Sequence, residues 1–361
     1  MENVTTVGVD LSKNLMHTVF MTSDGKIIKR KKYNTNSFAD MIKELPQKAT
    51  ICAEACAGAH YFGRLLQSSN FKVKLIHPVY VIPFVQRNKN DYNDATAIAE
   101  AGCRKNIKNV PVKSECIQSV QALHTARSKM VSMRTQLINS MRGTLLEFGV
   151  RIPQTTSSFM RYINKHYNTD EKINHITRVA IDALIRVLSE LEENITKIEK
   201  ELSKIAKNNS TTERLTTIPG IGCITATALF TVSGNPNVFK NGRNFSSNLG
   251  LTPRQNTTGD KPVLLGISKK GNTYVRQLLT LCARTLIIKA NRTTALSTAK
   301  MPVYKSNDKM SLWIRKLLAK NIHSNKVCIA IANKLARISY RILIGNRTVF
   351  DANLSNGSNL M

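Results

Sequence analysis

VTTVGVDLSKN, residues 4–14, decides how this chain is read. An apolar strand pattern, TVGVD, gives way to the turn-forming LSKN, so Asp10 emerges at the end of a strand. HTVFMT (residues 17–22) and KIIKRKKYN (residues 26–34) read as two further strands joined by Asp24-Gly25. A helix near Ser37 to Leu45 follows, then a buried strand ATICAEA, a helix from Ala59 and a strand KVKLIHP. Three leading strands followed by alternating α and β elements suit a ribonuclease-H-like sheet. A doubly wound nucleotide-binding fold would carry a Gly-rich first turn, and VGVDLSKN has none.

Glu54 stands late in the strand ICAEA. Asp91 and Asp94 open a helix, DYNDATAIAEAG, with Asn90 as its cap, and their three-residue spacing puts both on one face. Four such carboxylates are a candidate site for one or two Mg²⁺ ions, which take hard oxygen ligands. Two metals at such a site suit phosphate displacement. The competing reading is local: a first-turn aspartate is favoured by the helix dipole, and a strand-end aspartate often makes a turn.

The charge balance gives these acids their weight. Of 361 residues, 53 are Lys or Arg and 23 are Asp or Glu, a formal net charge of +30. Such a field attracts polyanions and predicts salt-sensitive binding to DNA or RNA. No apolar run is long enough to span a membrane and the amino terminus lacks a signal-peptide plan, so a cytoplasmic protein is expected. Seven scattered cysteines show no zinc-ligand spacing and read as free thiols.

Beyond residue 112 the pattern turns helical. Leu184, Leu188, Leu191, Ile195, Ile198, Leu202 and Ile205 alternate spacings of four and three, which predicts a coiled-coil arm paired with the preceding helix or with another protomer. IPGIG (residues 218–222) precedes a helical run and offers backbone N–H groups to a phosphate, or simply joins two helices. Between Lys261 and Arg347, eighteen Lys and Arg face one acid, Asp308, making this segment the electrostatic centre. The expected organisation is an amino-terminal α/β domain (1–112), a helical coiled-coil region (113–210), a mostly helical carboxy-terminal domain (211–347) and a frayed tail (348–361).

VGVDLSKN, AEACAGAHYFGR, RNKNDYNDATAIAEA and PVKSE resemble the amino-terminal blocks of the DEDD-type transposases of bacterial insertion sequences, a family that includes the Piv-type DNA invertases. IPGIGCITATALF, SNLGLTPRQNTTGDK, LLGISKKGNTYVRQLL and ANKLARISYRIL are similar to its carboxy-terminal blocks in the same order. The resemblance implies a RuvC-like domain of the ribonuclease-H fold with Asp10, Glu54, Asp91 and Asp94 as Mg²⁺ ligands. It also implies a guiding bridge RNA, donor and target DNA, dimers pairing into a tetramer, and a carboxy-terminal serine that forms a covalent DNA intermediate.

The chain departs from the family at that serine. Where the family has two serines and two glycines after GLTPRQ, this chain has Thr257, Thr258, Gly259 and Asp260, so the nucleophile aligns with Thr258. Threonine keeps the hydroxyl but adds a methyl that restricts its rotamer. Asp260 brings a negative charge near the expected phosphate. Ser268 is a fallback nucleophile or a helix cap. Arg254, Lys261, Lys269, Lys270 and Arg276 surround the loop as candidate phosphate or RNA clamps. His60 reads as a packing or capping residue with proton transfer as the alternative, and Trp313 as core. The leading expectation is an RNA-guided recombinase. A catalytically impaired nucleic-acid-binding relic and a junction-resolving nuclease are the rivals.

Overall fold

Alternating apolar residues build the first third of the chain into a sheet. The computed structural model describes residues 3–34, 37–85, 90–259, 261–292 and 309–345. The chain divides into two compact units, residues 1–118 and 119–361. The first contains β1 (Val4–Leu11), β2 (Leu15–Thr22), β3 (Ile27–Asn34), α1 (Phe38–Glu44), β4 (Thr50–Glu54), α2 (Ala59–Ser68), β5 (Lys72–Ile76), α3 (Pro78–Val81), α4 (Asp91–Cys103) and β6 (Asn109–Val110).

The sheet order is β3-β2-β1-β4-β5-β6. The first three strands pair antiparallel, β1, β4 and β5 run parallel, and the short β6 closes the edge antiparallel. This is the mixed α/β architecture expected from the sequence. The antiparallel pairs come from two tight turns, one of them with Gly25 at φ 87°, a conformation glycine adopts without steric cost. The parallel pair β1/β4 needs a crossover, which β2, β3 and α1 supply.

Each face of the sheet is covered. Val7, Val9, Phe20, Ile51 and Leu75 form one core with Met41 of α1 and Phe62 and Leu66 of α2. On the other face Cys52 and Ile76 pack beneath Ala97, Ile98 and Ala101 of α4. Gly8 lies where α4 crosses β1: a Cβ there would sit 2.1 Å from the carbonyl oxygen of Ala95 and 2.7 Å from the nitrogen of Ala99. Glycine and a run of alanines thus let helix and strand touch backbone to backbone.

The second unit is built on α5 (Glu115–Glu147), whose first turn belongs to the first unit, followed by α6 (Thr156–Lys165), α7 (His175–Asn208), α8 (Ser210–Thr216), α9 (Cys223–Ser233), α10 (Gly242–Asn248), β7 (Pro253–Thr258), β8 (Lys261–Ile267), α11 (Thr273–Arg292), α12 (Lys309–Leu318) and α13 (Ser324–Leu343). The apolar stripe on α7 buries Leu188, Leu191, Ile195 and Leu202 within its own chain. Arg127 pairs with Glu199 and Arg134 with Glu192, which sets α5 and α7 antiparallel. Phe159 of α6 fills the space among Ile138, Met141, Leu145, Ile181 and Leu188.

The remaining helices pack around Leu229, Phe245, Leu279, Ile331 and Leu335. The turn of IPGIG joins α8 to α9, with Ile218 and Ile221 buried and Gly220 (φ 81°) against Leu286 of α11. Trp313 packs partly buried against this core, with the Lys334 ammonium 4.0 Å from its ring centre. Among the described residues no helix is long and apolar enough to cross a membrane. All seven cysteines are free.

Candidate functional site

Strand register builds the acidic site. β1 and β4 run parallel with Gly8 opposite Cys52 and Val9 opposite Ala53, so one step further stand Asp10 and Glu54. On the other side of β1, Asp10 pairs directly with His17 of β2. Residues opposite one another share a face, so His17, Asp10 and Glu54 form a row on the α4 face of the sheet.

The amino terminus of α4 lies over that row. Asn90 caps the helix, its side chain accepting from Tyr92 N at 2.9 Å. Asp91 and Asp94 occupy the first turn, where the exposed N–H groups and the helix dipole favour negative charge. Because Gly8 anchors Ala95 and Ala99, the preceding turn reaches Asp10. The carboxylates of Asp10 and Asp91 and a ring nitrogen of His17 all lie within 4.8 Å of one another. Nδ1 of His17 is 3.6 Å from Asp91 Oδ2, and the edge of its ring meets Tyr92 at 4.9 Å between centres.

The electrostatics register this crowding. Burial pushes the Asp10 carboxyl above its usual range, Asp94 and Asp91 push it further, His17 opposes and Glu54 adds to the rise. Glu54 is likewise raised, by burial and then by Asp94, with His77 opposing. Among the described residues, the groups acting on these two acids are other carboxylates and histidines. Clustered carboxylates are suited to a divalent ion.

Other residues of this unit resolve differently. His60 Nδ1 accepts from the backbone N of Lys113 at 3.3 Å. Burial, helped by Lys113 and Arg64, holds its pKa down. That is the packing role, tying α2 to the segment before α5. Arg64 donates to Lys113 O at 2.9 Å and reinforces the same joint. His17 and His77 stand in no motif that marks them in the sequence. The signal for His17 lies in the hairpin: a turn at Lys13-Asn14 puts it opposite Asp10.

In the second unit the stretch carrying Thr258 is a β-hairpin rather than a plain loop. β7 pairs antiparallel with β8, Thr258 opposite Lys261, and every residue of β7 is exposed, Arg254 and Thr258 included. Gln255 Nε2 donates to Thr257 Oγ1 at 2.7 Å, which separates the two threonines chemically. Asp260 and the Lys261 side chain lie outside the described residues, as does the tail from residue 346.

The base of the hairpin is tightly built. Ser268 N donates to Thr252 O, and Lys269 N to Gly250 O. A Cβ on Gly250 would lie 2.2 Å from Lys270 O, and one on Gly271 would lie 1.8 Å from Asn248 O. Lys269 and Lys270 are exposed there. Arg276 corrects its expected role as a phosphate clamp: it is buried, and its guanidinium donates to Leu249 O, Lys270 O and Thr273 Oγ1. The side chain braces the loop. Asn272, not Ser268, caps α11, accepting from Val275 N at 2.9 Å.

Comparison with known proteins agrees at both ends of the chain. Residues 7–149 match the DEDD-type IS110 family described as Transposase, and residues 212–298 match the Transposase IS116/IS110/IS902 family. The chain is 36% identical over 353 residues to the "Transposase for insertion sequence element IS1328" of Yersinia enterocolitica, covering 97% of this chain and 99% of that protein. It is 33% identical over 350 residues to the "Transposase for insertion sequence element IS1111A" of Coxiella burnetii, covering 96% and 92%. A "Pilin gene-inverting protein" of Moraxella lacunata is 23% identical over 361 residues, covering 95% and 97%.

Proposed function

The chain belongs to the IS110-type transposase family, and on that premise we propose that it cleaves and rejoins DNA strands under the guidance of a structured RNA. The observation that carries the reading is the acidic cluster of a strongly basic protein: Asp10 and Asp91 within 4.8 Å of each other and of a His17 ring nitrogen, with Asp94 and Glu54 near enough to raise the Asp10 carboxyl further.

Asp10, Glu54, Asp91 and Asp94 are the residues that would hold Mg²⁺ in a RuvC-like, ribonuclease-H-type domain. Bound there, a divalent cation supplies Lewis-acid stabilisation of phosphate charge. The chain's own part is to gather the acids on one sheet row and to close that row with the dipole of α4.

Thr258 is the proposed nucleophile, in the position where the family has serine. Its Oγ bonds to the phosphorus, one backbone P–O bond breaks, and the hydroxyl proton leaves to solvent. The departing deoxyribose oxygen is free to reverse the step on a new partner, so rejoining needs no external energy source. Exposure of Thr258 on an outward hairpin suits attack on a bulky polymer. Arg254, Lys261, Lys269 and Lys270 steer the phosphates, with Arg276 holding their loop. The protein would act at the bacterial nucleoid as dimers pairing into a tetramer, with the carboxylate domain (1–112), the helical arm (113–210) and the nucleophile-bearing domain (211–347) as working parts.

The second reading, a relic that binds nucleic acid but recombines poorly, is favoured by the sequence Thr257-Thr258-Gly259-Asp260. One experiment separates the two. Purified protein is incubated with Mg²⁺, RNA transcribed from the DNA flanking its gene, and labelled donor and target duplexes. A protein–DNA adduct that disappears in both Thr258→Ala and Asp10→Ala supports the recombinase. Tight binding without an adduct, and an adduct restored by Thr258→Ser with Asp260→Gly, supports the relic.

A further inference from the structure

The resemblance implies four acids as ligands, but the site they form contains a fifth polar group. His17 stands opposite Asp10 across the β1/β2 hairpin. It is 9% exposed, and its Nδ1 is shielded from solvent with no hydrogen-bond partner. A buried polar nitrogen without a partner is destabilising. This one faces Asp91 Oδ2 at 3.6 Å, too far for a hydrogen bond.

The same separation suits two ligands of a shared cation. Donor atoms each about 2.1 Å from a metal stand roughly 3.0–3.6 Å apart for the bond angles of octahedral to trigonal sites. Asp10 joins the two within 4.8 Å. The imidazole is also held in orientation, by strand pairing on its backbone and by the edge-on contact with Tyr92. A nitrogen donor that is buried, oriented, unpartnered and clustered with two carboxylates has the properties of a ligand.

We propose that His17 is a further metal-holding residue of this site, its Nδ1 completing a nitrogen–oxygen donor set with Asp10 and Asp91. The consequence is a cation preference. Hard oxygen donors alone suit Mg²⁺, whereas an imidazole favours borderline first-row ions such as Mn²⁺ and Co²⁺. The chain therefore binds Mn²⁺ more tightly than Mg²⁺, with His17 carrying much of the difference. Glu54, further along the row, and Asp94, in the first turn of α4, supply the oxygen-only part of the site. This inference rests on the proposed reading of the carboxylates as metal ligands.

The test uses the full-length protein with Mn²⁺ alone. Pulsed electron paramagnetic resonance of the wild type detects ¹⁴N coupling from a bound imidazole, and calorimetry gives affinities for Mn²⁺ and Mg²⁺. The expected result is one ¹⁴N coupling that is lost in His17→Ala. The same variant weakens Mn²⁺ binding by about tenfold or more, and Mg²⁺ binding by a smaller factor. Coupling absent from the wild type, or persisting in His17→Ala, overturns the assignment while leaving the carboxylate reading intact if Asp10→Asn abolishes Mn²⁺ binding. Binding indifferent to Asp10→Asn overturns the carboxylate reading and this inference together. The wild-type spectrum needs no variant, so a poorly folding His17→Ala does not blunt the test.

Discussion

Gly8 and Ala95 meet backbone to backbone: a Cβ on Gly8 would lie 2.1 Å from the Ala95 carbonyl oxygen. That contact fixes how far α4 advances along β1, and hence how close Asp91 and Asp94 come to Asp10. Gly8→Ala must push the helix away or strain the strand. We expect a destabilisation of about 2–3 kcal/mol and a fall in Mn²⁺ affinity, because helix and strand no longer present their acids together. Thermal unfolding and calorimetry check both. A stable variant with unchanged affinity would show that the contact does not position the site.

Asp10→Asn separates the metal site from ordinary stability. The Asp10 carboxyl is raised above its unfolded value by burial and neighbouring acids. Its ionised form therefore opposes folding above the raised pKa, and this penalty fades as pH falls through that value towards 3.8. Without metal at pH 7.5, Asp10→Asn is expected to melt about 1–4 °C above the wild type. Added Mn²⁺ should raise the wild-type melting temperature and leave the variant unmoved. A metal-free variant less stable than the wild type would contradict the crowding argument.

Much of this site was legible in the sequence because each acid sits at a boundary. Asp10 ends an apolar strand, Glu54 ends another, and Asp91 and Asp94 follow the cap Asn90. His17 was harder: reading residues 17–22 as a strand does not fix its register, and register decides which residue faces Asp10. The β7/β8 hairpin left no periodic trace because every side chain of β7 is exposed, so no alternation of burial is written into PRQNTT. Arg276 looks like any other basic residue until its guanidinium is found turned into the backbone.

Two arginines of the nucleophile region should behave oppositely. Arg254 is exposed on β7, and Arg276 is spent on Leu249 O and Lys270 O. Arg254→Ala is expected to reduce the magnitude of the salt dependence of DNA binding by about one phosphate contact. Arg276→Ala should leave that slope unchanged and lower the unfolding midpoint, because buried carbonyls lose their donor. Binding titrated against salt, beside urea unfolding, distinguishes them. Equal slopes for wild type and Arg254→Ala would remove Arg254 from the interface.

Gly271 tests whether the hairpin base matters to the proposed chemistry. Its φ of 79° and the 1.8 Å approach of Asn248 O leave no room for a side chain. Gly271→Ala is expected to cost about 1–3 kcal/mol and to open residues 250–271 to protease. DNA-adduct formation should fall more steeply than DNA binding, since Thr258 rides on the displaced hairpin. Unaltered cleavage by trypsin at Lys269 and Lys270 would argue that the segment tolerates the change.

His124 makes the second unit sensitive to acid. One proton order fits the contacts: Arg127 donates to Tyr274 Oη at 3.4 Å, and Tyr274 donates to His124 Nδ1 at 3.2 Å. His124 Nε2–H then donates to Thr227 Oγ1 at 3.1 Å, and Thr227 donates to Cys223 O at 2.8 Å. A second ring proton would meet the Tyr274 hydroxyl, whose own proton would then have to turn elsewhere. Burial, with Arg127 adding repulsion, pushes the His124 pKa down to about 4 from 6.5. A depressed histidine favours the fold fully above its unfolded pKa, and that contribution is lost as pH falls from 6.5 towards 4. The loss amounts to up to about 3 kcal/mol. Urea unfolding followed through Trp313, the single tryptophan and a residue of this unit, should show a steep decline in midpoint between pH 7 and pH 4.5. In His124→Gln the decline should be shallower, from a lower starting stability. Parallel declines for the two proteins would mean that other groups, not His124, set the acid limit.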